Sequence, residues 1–259
     1  MTDLDISALT VSIAGKTVCS ELSLSLRAGQ CIGILGGNGV GKTTLLHTIA
    51  GLRAPDDGDI LLGDNAVHAM SRRDVARQLG LLMQAHDDPF PATVLETALI
   101  GRHPHIGFWQ WETEEDLAIA RHALTTAGMQ GLEVRDIHEL SGGERRRLAI
   151  ATLLAQEPAV FLLDEPVDQL DPFHQMRLLS YFQRQAHEQQ RLVVMSLHDV
   201  NHAARFCDAV LLLYGNGEAE FDDTYKVLTP ENLERLYGLP VRMITTQDAL
   251  FFQPDLSNW

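Results

Sequence analysis

The sequence predicts an α/β fold with a mostly parallel core sheet, an N-terminal antiparallel β-subdomain and an inserted α-helical subdomain. Three observations predict it. Short apolar runs such as "CIGILGG", "AVFLLDEP" and "RLVVMSLHD" stop at glycines or polar residues. That is the form of parallel strands buried on both faces, with functional loops at their C-terminal ends. The first 30 residues alternate instead, so "ALTVSI" and "LSLSLRAG" read as exposed strands with one buried face. From Phe90 the period changes to three and four residues in "TVLETALIG", "EEDLAIARHALTTAG" and "ERRRLAIATLLAQ", which places helices between about 85 and 157.

The remaining elements follow in order. After "CIGILGG" a helix starts near Lys42, with Leu45, Leu46 and Ile49 inward and Gly51 closing it. A strand at "DILLGD", a short helix opened by Ser71 and a strand at "LGLLMQ" come next, and Pro158 ends the helical block. "AVLLLYGNGEAEF" reads as a hairpin turning at Gly215-Asn216-Gly217. "TPENLERLYG" reads as a helix with Thr229 as N-cap, Pro230 in the first position and Gly238 closing it. The expected organisation is one domain over 1–259, with the helical subdomain inserted at about 85–157 and a hairpin–helix extension at about 209–259.

Composition narrows the function. A chain of 259 residues, 45% of them hydrophobic, can bury one large core. The net charge of -15 argues against a general nucleic-acid binder, which needs a basic face to displace counterions. No apolar run approaches the roughly 18–20 residues of a membrane helix, and "MTDLDISALT" lacks a signal-peptide layout. A cytosolic protein whose membrane role comes through a partner is expected. Cys19, Cys31 and Cys207 show neither metal-ligand spacing nor a disulfide framework, so buried reduced thiols are expected.

Three motifs carry chemistry. Gly36 to Thr43 fits G-x-x-x-x-G-K-[ST], the P-loop, placed after a buried strand and before a helix as that motif requires. Missing Cβ atoms let backbone N–H groups converge on one concavity, and the helix N-terminus adds positive potential. Such a site takes a polyphosphate, with Lys42 reaching the β- and γ-phosphates and Thr43 ligating Mg²⁺. In "AVFLLDEP", Asp164 can hold Mg²⁺ directly or through water, and Glu165 can orient or deprotonate an attacking water. Without the P-loop, these would be two acids in a loop after a strand. In "LSGGERRR", Ser141 and Glu144 make a capping box. The box does not explain Gly142 and Gly143, poor helix formers in a first turn. They bare a second helix N-terminus for an anion. Two phosphate-binding termini in one chain point to a nucleotide held between two chains, each supplying one half.

On these residues the sequence resembles the ATP-binding subunits of ABC transporters, which are P-loop NTPases. "GGNGVGKTT" matches the Walker A loop, Gln84 the Q-loop, "LSGGE" the signature, "VFLLDE" Walker B, Asp168 to Asp171 the D-loop and His198 the switch histidine, in family order across nearly the whole chain. "FPATVLETALIGRHPH" and "LTPENLERLYGLPVRMI" are similar to the ATPases of ferric-siderophore, haem and vitamin B12 importers. The resemblance implies two copies stacked head to tail around two ATP molecules. Gly36, Asn38, Gly39, Val40, Gly41, Lys42, Thr43 and Thr44 would hold one nucleotide. Ser141, Gly142 and Gly143 of the opposite copy would cover its γ-phosphate. Gln84 would sense Mg²⁺ and the γ-phosphate, and Thr43, Gln84 and Asp164 would form the Mg²⁺ site. Glu165 would be the general base, His198 would contact the γ-phosphate and Asp171 would bridge the two sites. The implied partners are a second copy, an integral membrane permease meeting roughly residues 84–112 and, indirectly, a periplasmic or extracellular substrate-binding protein, with no nucleic acid. The implied location is the cytoplasmic face of the inner (plasma) membrane, and the implied cargo a metal chelate such as a ferric siderophore, haem or cobalamin. The alternatives are the ATPase of an exporter and a soluble ABC ATPase without a transport role.

The sequence departs from the family in a few places. The usual adenine-stacking aromatic is replaced by Ile13, and no Phe, Tyr or Trp precedes Phe90. Weaker adenine affinity and poorer discrimination against GTP are expected. The D-loop opens with Val167-Asp168-Gln169 where small residues are commoner, and the signature ends in Glu144 where Gln is commoner. His103, His105, Trp109 and Trp111 cluster in the insertion and read as a permease contact rather than a metal site.

Overall fold

The computed structural model describes residues 2–83, 91–168, 170–245 and 250–255. β1 (Leu4–Ile13) and β2 (Lys16–Leu26) pair antiparallel around Ala14-Gly15. β3 (Cys31–Gly36) runs into a glycine-rich loop and α1 (Lys42–Ile49). β4 (Asp57–Leu62) and β5 (Asn65–Ala66) precede α2 (Arg72–Gln78) and β6 (Leu79–Leu82). The helices α3 (Val94–Leu99), α4 (Glu114–Thr126) and α5 (Gly142–Ala155) then interrupt the strands. β7 (Val160–Leu163), α6 (Pro172–His187), β8 (Leu192–Ser196), α7 (Val200–Phe206), β9 (Ala209–Leu213) and β10 (Ala219–Asp223) resume them. The described chain closes with α8 (Thr224–Val227), α9 (Pro230–Tyr237), β11 (Val241–Thr245) and β12 (Leu250–Pro254).

The strands divide by their burial. β1 and β2 alternate and join β4 and β5 in an antiparallel sheet of order β2-β1-β4-β5. β3, β7, β8 and β9 are buried at every position and lie in a six-stranded sheet of order β10-β9-β3-β8-β7-β6. That sheet is parallel except at its β10 edge, where the turn at Gly215–Gly217 reverses the chain. One core, with Leu4, Leu24, Leu45 and Ile49, fills the space between the two sheets around α1. A second, with Phe161, Leu179, Phe182 and Leu212, covers the other face under α6 and α7. Each fully buried Leu, Ile or Phe contributes roughly 1.5–3 kcal/mol relative to exposure.

The helices α3, α4 and α5 have a core of their own, around Val94, Ala120, Leu124, Met129, Leu148 and Ala151. Three capping boxes set their starts, at Thr93 with Glu96, Thr113 with Asp116 and Ser141 with Glu144. Arg102, buried after α3, ties the bundle together. Its Nε donates to Asp116 Oδ1 at 2.9 Å, and its Nη1 donates to Ala155 O and Glu157 Oε2, each at 2.8 Å. Among the described residues, no helix is long and apolar enough to cross a membrane. Cys19, Cys31 and Cys207 are all buried and free, and burial pushes the Cys19 thiol up to about 11. Thr229 caps α9 with Pro230 in its first turn, and Gly238 closes it at φ +73°.

Candidate functional site

The parallel strands deliver their C-terminal ends to one edge of the sheet, the place where open α/β sheets bind ligands. β3 leads there into Gly36–Gly41 and α1. A Cβ on Gly36 would lie 2.8 Å from Leu213 O. Gly41 has φ +110°, and a Cβ there would meet the Val18 side chain at 2.4 Å. These two glycines are required by the protein's own packing. At Gly37 and Gly39 an added Cβ would meet no protein atom within 4 Å, so the loop keeps open room beside its backbone. Asn38 is exposed at its tip, and Val40 packs beneath it. α1 has no side-chain cap and no acid in its first turn, so its first N–H groups, including those of Lys42, Thr43 and Thr44, have no helical partner. The Lys42 side chain is buried, and its Nζ donates to Gly36 O at 2.8 Å and Gly37 O at 3.4 Å. Burial lowers its pKa, opposed by the carboxylates of Glu165, Asp164 and Asp168.

Sheet order, not sequence proximity, assembles the rest. β8 lies between β3 and β7. Thr43 Oγ1 donates to Asp164 Oδ2 at 2.6 Å, across 121 positions of sequence. Ser196, the last residue of β8, donates to Asp164 Oδ1 at 2.8 Å and accepts from the Glu165 N–H at 2.8 Å. His198 Nε2 lies 2.7 Å from Glu165 Oε1. Ligand atoms of Glu165, Asp168 and His198 all fall within 4.8 Å of one another. The oxygens of Thr43 and Asp164 are a hard donor set of the kind Mg²⁺ takes.

Glu165 has φ +48°, a region costly for a residue with a Cβ. Arg146 stands behind it. Its Nη2 donates to Asp164 O and Glu165 O at 2.6 Å each, and its Nη1 donates to Met83 O at 2.6 Å. One buried guanidinium on α5 therefore fixes the turn that carries the two acids. Sequence reasoning missed Arg146 and Ser196. A signal for Arg146 existed, because Arg146, Ile150 and Leu153 fall on one face of α5 at helical spacing and all three are buried. Ser196 was visible only as a polar residue ending an apolar run.

Ser141 caps α5 at a separate place in the chain. Its Oγ accepts from the Glu144 N–H at 3.3 Å, and Glu144 Oε2 accepts from the Ser141 N–H at 2.8 Å. Gly142 is exposed and Gly143 half-buried. Asp171 caps α6, accepting from the Phe173 and His174 N–H groups at 3.0 and 3.1 Å. Those bonds and its contact with the His174 ring hold its carboxyl below the usual range. Ile13 is 41% exposed at the end of β1. Gln84 lies outside the described residues. His105 Nε2 contacts Gln156 O at 2.9 Å, and Phe108, Trp109 and Trp111 are each at least 86% exposed. His103 and His105 join no group of three ligating side chains among the described residues.

Fold and site together define a P-loop nucleotide-binding cassette. Residues 19–168 match the ABC transporter family, and the chain belongs to it. It is 37% identical to the petrobactin import ATP-binding protein FpuC of Bacillus anthracis over 90% of this chain and 86% of that one. It is 35% identical to the cobalamin import ATP-binding protein BtuD of Halobacterium salinarum, spanning 93% of this chain but only 60% of that protein's length. A chain from an inward-facing structure described as a metal-chelate type ABC transporter superposes with a TM-score of 0.86, at 29% identity over 99% of both chains.

Proposed function

We propose that this chain is the ATP-hydrolysing subunit of an importer, working as a pair of copies around two Mg-ATP and driving a separate membrane permease. One observation carries the reading. The P-loop hydroxyl of Thr43, Asp164, Ser196 and the Glu165 N–H form one continuous hydrogen-bonded line at the strand ends, and His198 pairs with the Glu165 carboxylate beside it.

The loop amides and Lys42 bind the phosphates. Thr43 and Asp164 would hold Mg²⁺, with Gln84 as a further ligand, and the ion supplies charge neutralisation to the leaving phosphates. Glu165 takes the proton of the attacking water. His198, already 2.7 Å from Glu165, orients that carboxylate and faces the γ-phosphate. Within one copy, Ser141, Gly142 and Gly143 cap a different helix from the one that follows the P-loop. They serve the γ-phosphate of the opposite copy, and Asp171, at the start of α6, joins the two sites. The helical block of about 85–157 is the arm that meets the permease. The exposed Phe108, Trp109 and Trp111 support that contact, and the subunit sits at the cytoplasmic membrane face through it. The import names of the relatives favour a metal-chelate or corrinoid cargo, delivered by a substrate-binding protein.

Glu165→Gln tests the reading. ATP binding is retained, an ATP-dependent dimer accumulates in gel filtration, and steady-state hydrolysis drops by about 10²–10⁴-fold. Lys42→Ala instead weakens nucleotide binding itself. Undiminished phosphate release by the Glu165→Gln chain would mean that another group is the base.

A further inference from the structure

A cleft of about 410 Å³ opens where α5 and the end of α4 face α6. Its apolar part is formed by Ile150 and Leu154 on α5 and Leu178 on α6. Three arginines also line it, Arg147 on α5 and Arg177 and Arg184, two turns apart on α6. Among the described residues no carboxylate lines it, in a chain whose net charge is -15. Among the described residues none of the three arginines has a carboxylate within salt-bridge distance. Arg147 donates only to Gly128 O at 3.1 Å, and Arg184 to Ser180 Oγ at 3.4 Å. Of the acids nearby along the helices, Glu144 is held by Ser141 and Arg135, though it also feels the charge of Arg147, and Asp171 is held by His174. Tyr181, also on the wall, has its hydroxyl pushed up by burial and pulled back by the charges of Arg191 and Arg184.

Three like charges gathered around one apolar cleft repel one another, and an anion relieves that repulsion. Arginine suits this task, since its planar fork grips carboxylate, sulfonate or phosphate oxygens two at a time. The volume lies in the range of roughly 300–1,000 Å³ typical of small-molecule pockets, and an apolar wall with a few converging polar groups is the form such pockets take. We infer that this cleft binds a small amphiphilic organic anion, its charged group on Arg147, Arg177 and Arg184 and its apolar body on Ile150, Leu154 and Leu178. The site is separate from the nucleotide site, because none of the P-loop, Asp164 or Glu165 lines it. Its walls belong to the helical block and to the core, so an occupant contacts both.

The test uses 1-anilinonaphthalene-8-sulfonate as probe on the full chain, with Mg-ADP present to fill the nucleotide site. Saturable fluorescence enhancement by one probe per chain is expected. The double variant Arg177→Gln, Arg184→Gln, whose changes lie on an exposed helix face, should weaken it by about tenfold or more. Trp109→Ser with Trp111→Ser should leave it unchanged. N-phenyl-1-naphthylamine, which has the same apolar body without the sulfonate, should bind at least tenfold more weakly than the probe, and inorganic sulfate alone should compete only weakly. In the unmodified chain, hydrogen–deuterium exchange should slow at 126–128 and 177–184 when the probe is added. Equal probe affinity in the arginine variant, equal affinity for the neutral analogue, or slowed exchange confined to other segments overturns the proposal.

Discussion

Ile13 is the residue at which this chain parts from its resemblance to other ATP-binding subunits with a measurable consequence. It sits 41% exposed at the end of β1. If adenine lies where the resemblance places it, Ile13 would offer the base dispersion contact but no π-face, and base–aromatic stacking is worth on the order of 1–3 kcal/mol. Ile13→Tyr is expected to tighten ATP binding by about fivefold or more and to widen the preference for ATP over GTP, both read by competition titration. An unchanged ATP affinity would place the whole binding energy in the phosphate contacts. Glu165 shows the opposite economy at residue scale. Its backbone is held at φ +48°, and three neighbours fix it there: Arg146 on two carbonyls, Ser196 on its N–H and His198 on its carboxylate. A strained turn persists only where its surroundings over-determine it, and here they also aim the proposed base.

Among the elements, the helical block depends on one buried ion cluster. Arg102 is buried with Asp116, and Glu157 completes the set at the rim. The Thr113 N–H and hydroxyl, then Arg102, hold the Asp116 carboxyl down to about 2, against an ordinary 3.8. A carboxyl whose folded-state pKa is depressed adds stability that is fully present above the ordinary value and is lost as pH falls through the folded one. Asp116→Asn leaves Arg102 with a missing partner and a broken capping box. It should cost about 3 kcal/mol at pH 7, seen in urea denaturation. The gap between the variant and the parent chain should close between about pH 4 and pH 2. A gap that stays constant down to pH 2 would place the cost in packing rather than charge. The same scale shows what the sequence makes legible. The box at Ser141 and the cap at Thr229 are local signals, and each helix starts where its cap predicts. The buried strands were readable because all-apolar runs ending in polar residues have few other homes in a domain of this size. The hairpin of β11 and β12 left no such trace, since β11 is exposed at four of its five positions and the two strands pair only with each other. Within the site, the identities of Thr43, Asp164 and Glu165 were legible from motif spacing. The contacts of Thr43 with Asp164 and of Asp164 and Glu165 with Ser196 were not, because the order β3-β8-β7 is a fact of tertiary structure. Arg146 stood in a run of three arginines, and only its position on the buried face of α5 separates it from Arg145 and Arg147.

For the molecule as a whole, the question is whether one copy contains a complete site. α1 starts without a side-chain cap after the P-loop, and α5 starts at Ser141 with Gly142 and Gly143 in its first turn. In the proposed two-fold dimer the first of these helix starts in one copy would meet the second in the other, twice. This arrangement predicts complementation between inert chains. Lys42→Ala disables the P-loop half, and Gly142→Asp places a negative charge where the γ-phosphate of the opposite copy would lie. Each variant alone forms dimers in which both sites are broken. In a mixed dimer the Gly142→Asp chain supplies an intact P-loop and the Lys42→Ala chain an intact signature, so one of two sites is whole. An equal mixture should recover up to about a quarter of the parental hydrolysis rate if the two sites work independently. One chain carrying both substitutions, mixed with parental chain, gives mixed dimers with no whole site and should depress the rate. If each site were built within one copy, mixing the two single variants would restore nothing, and the doubly substituted chain would leave the parental rate untouched.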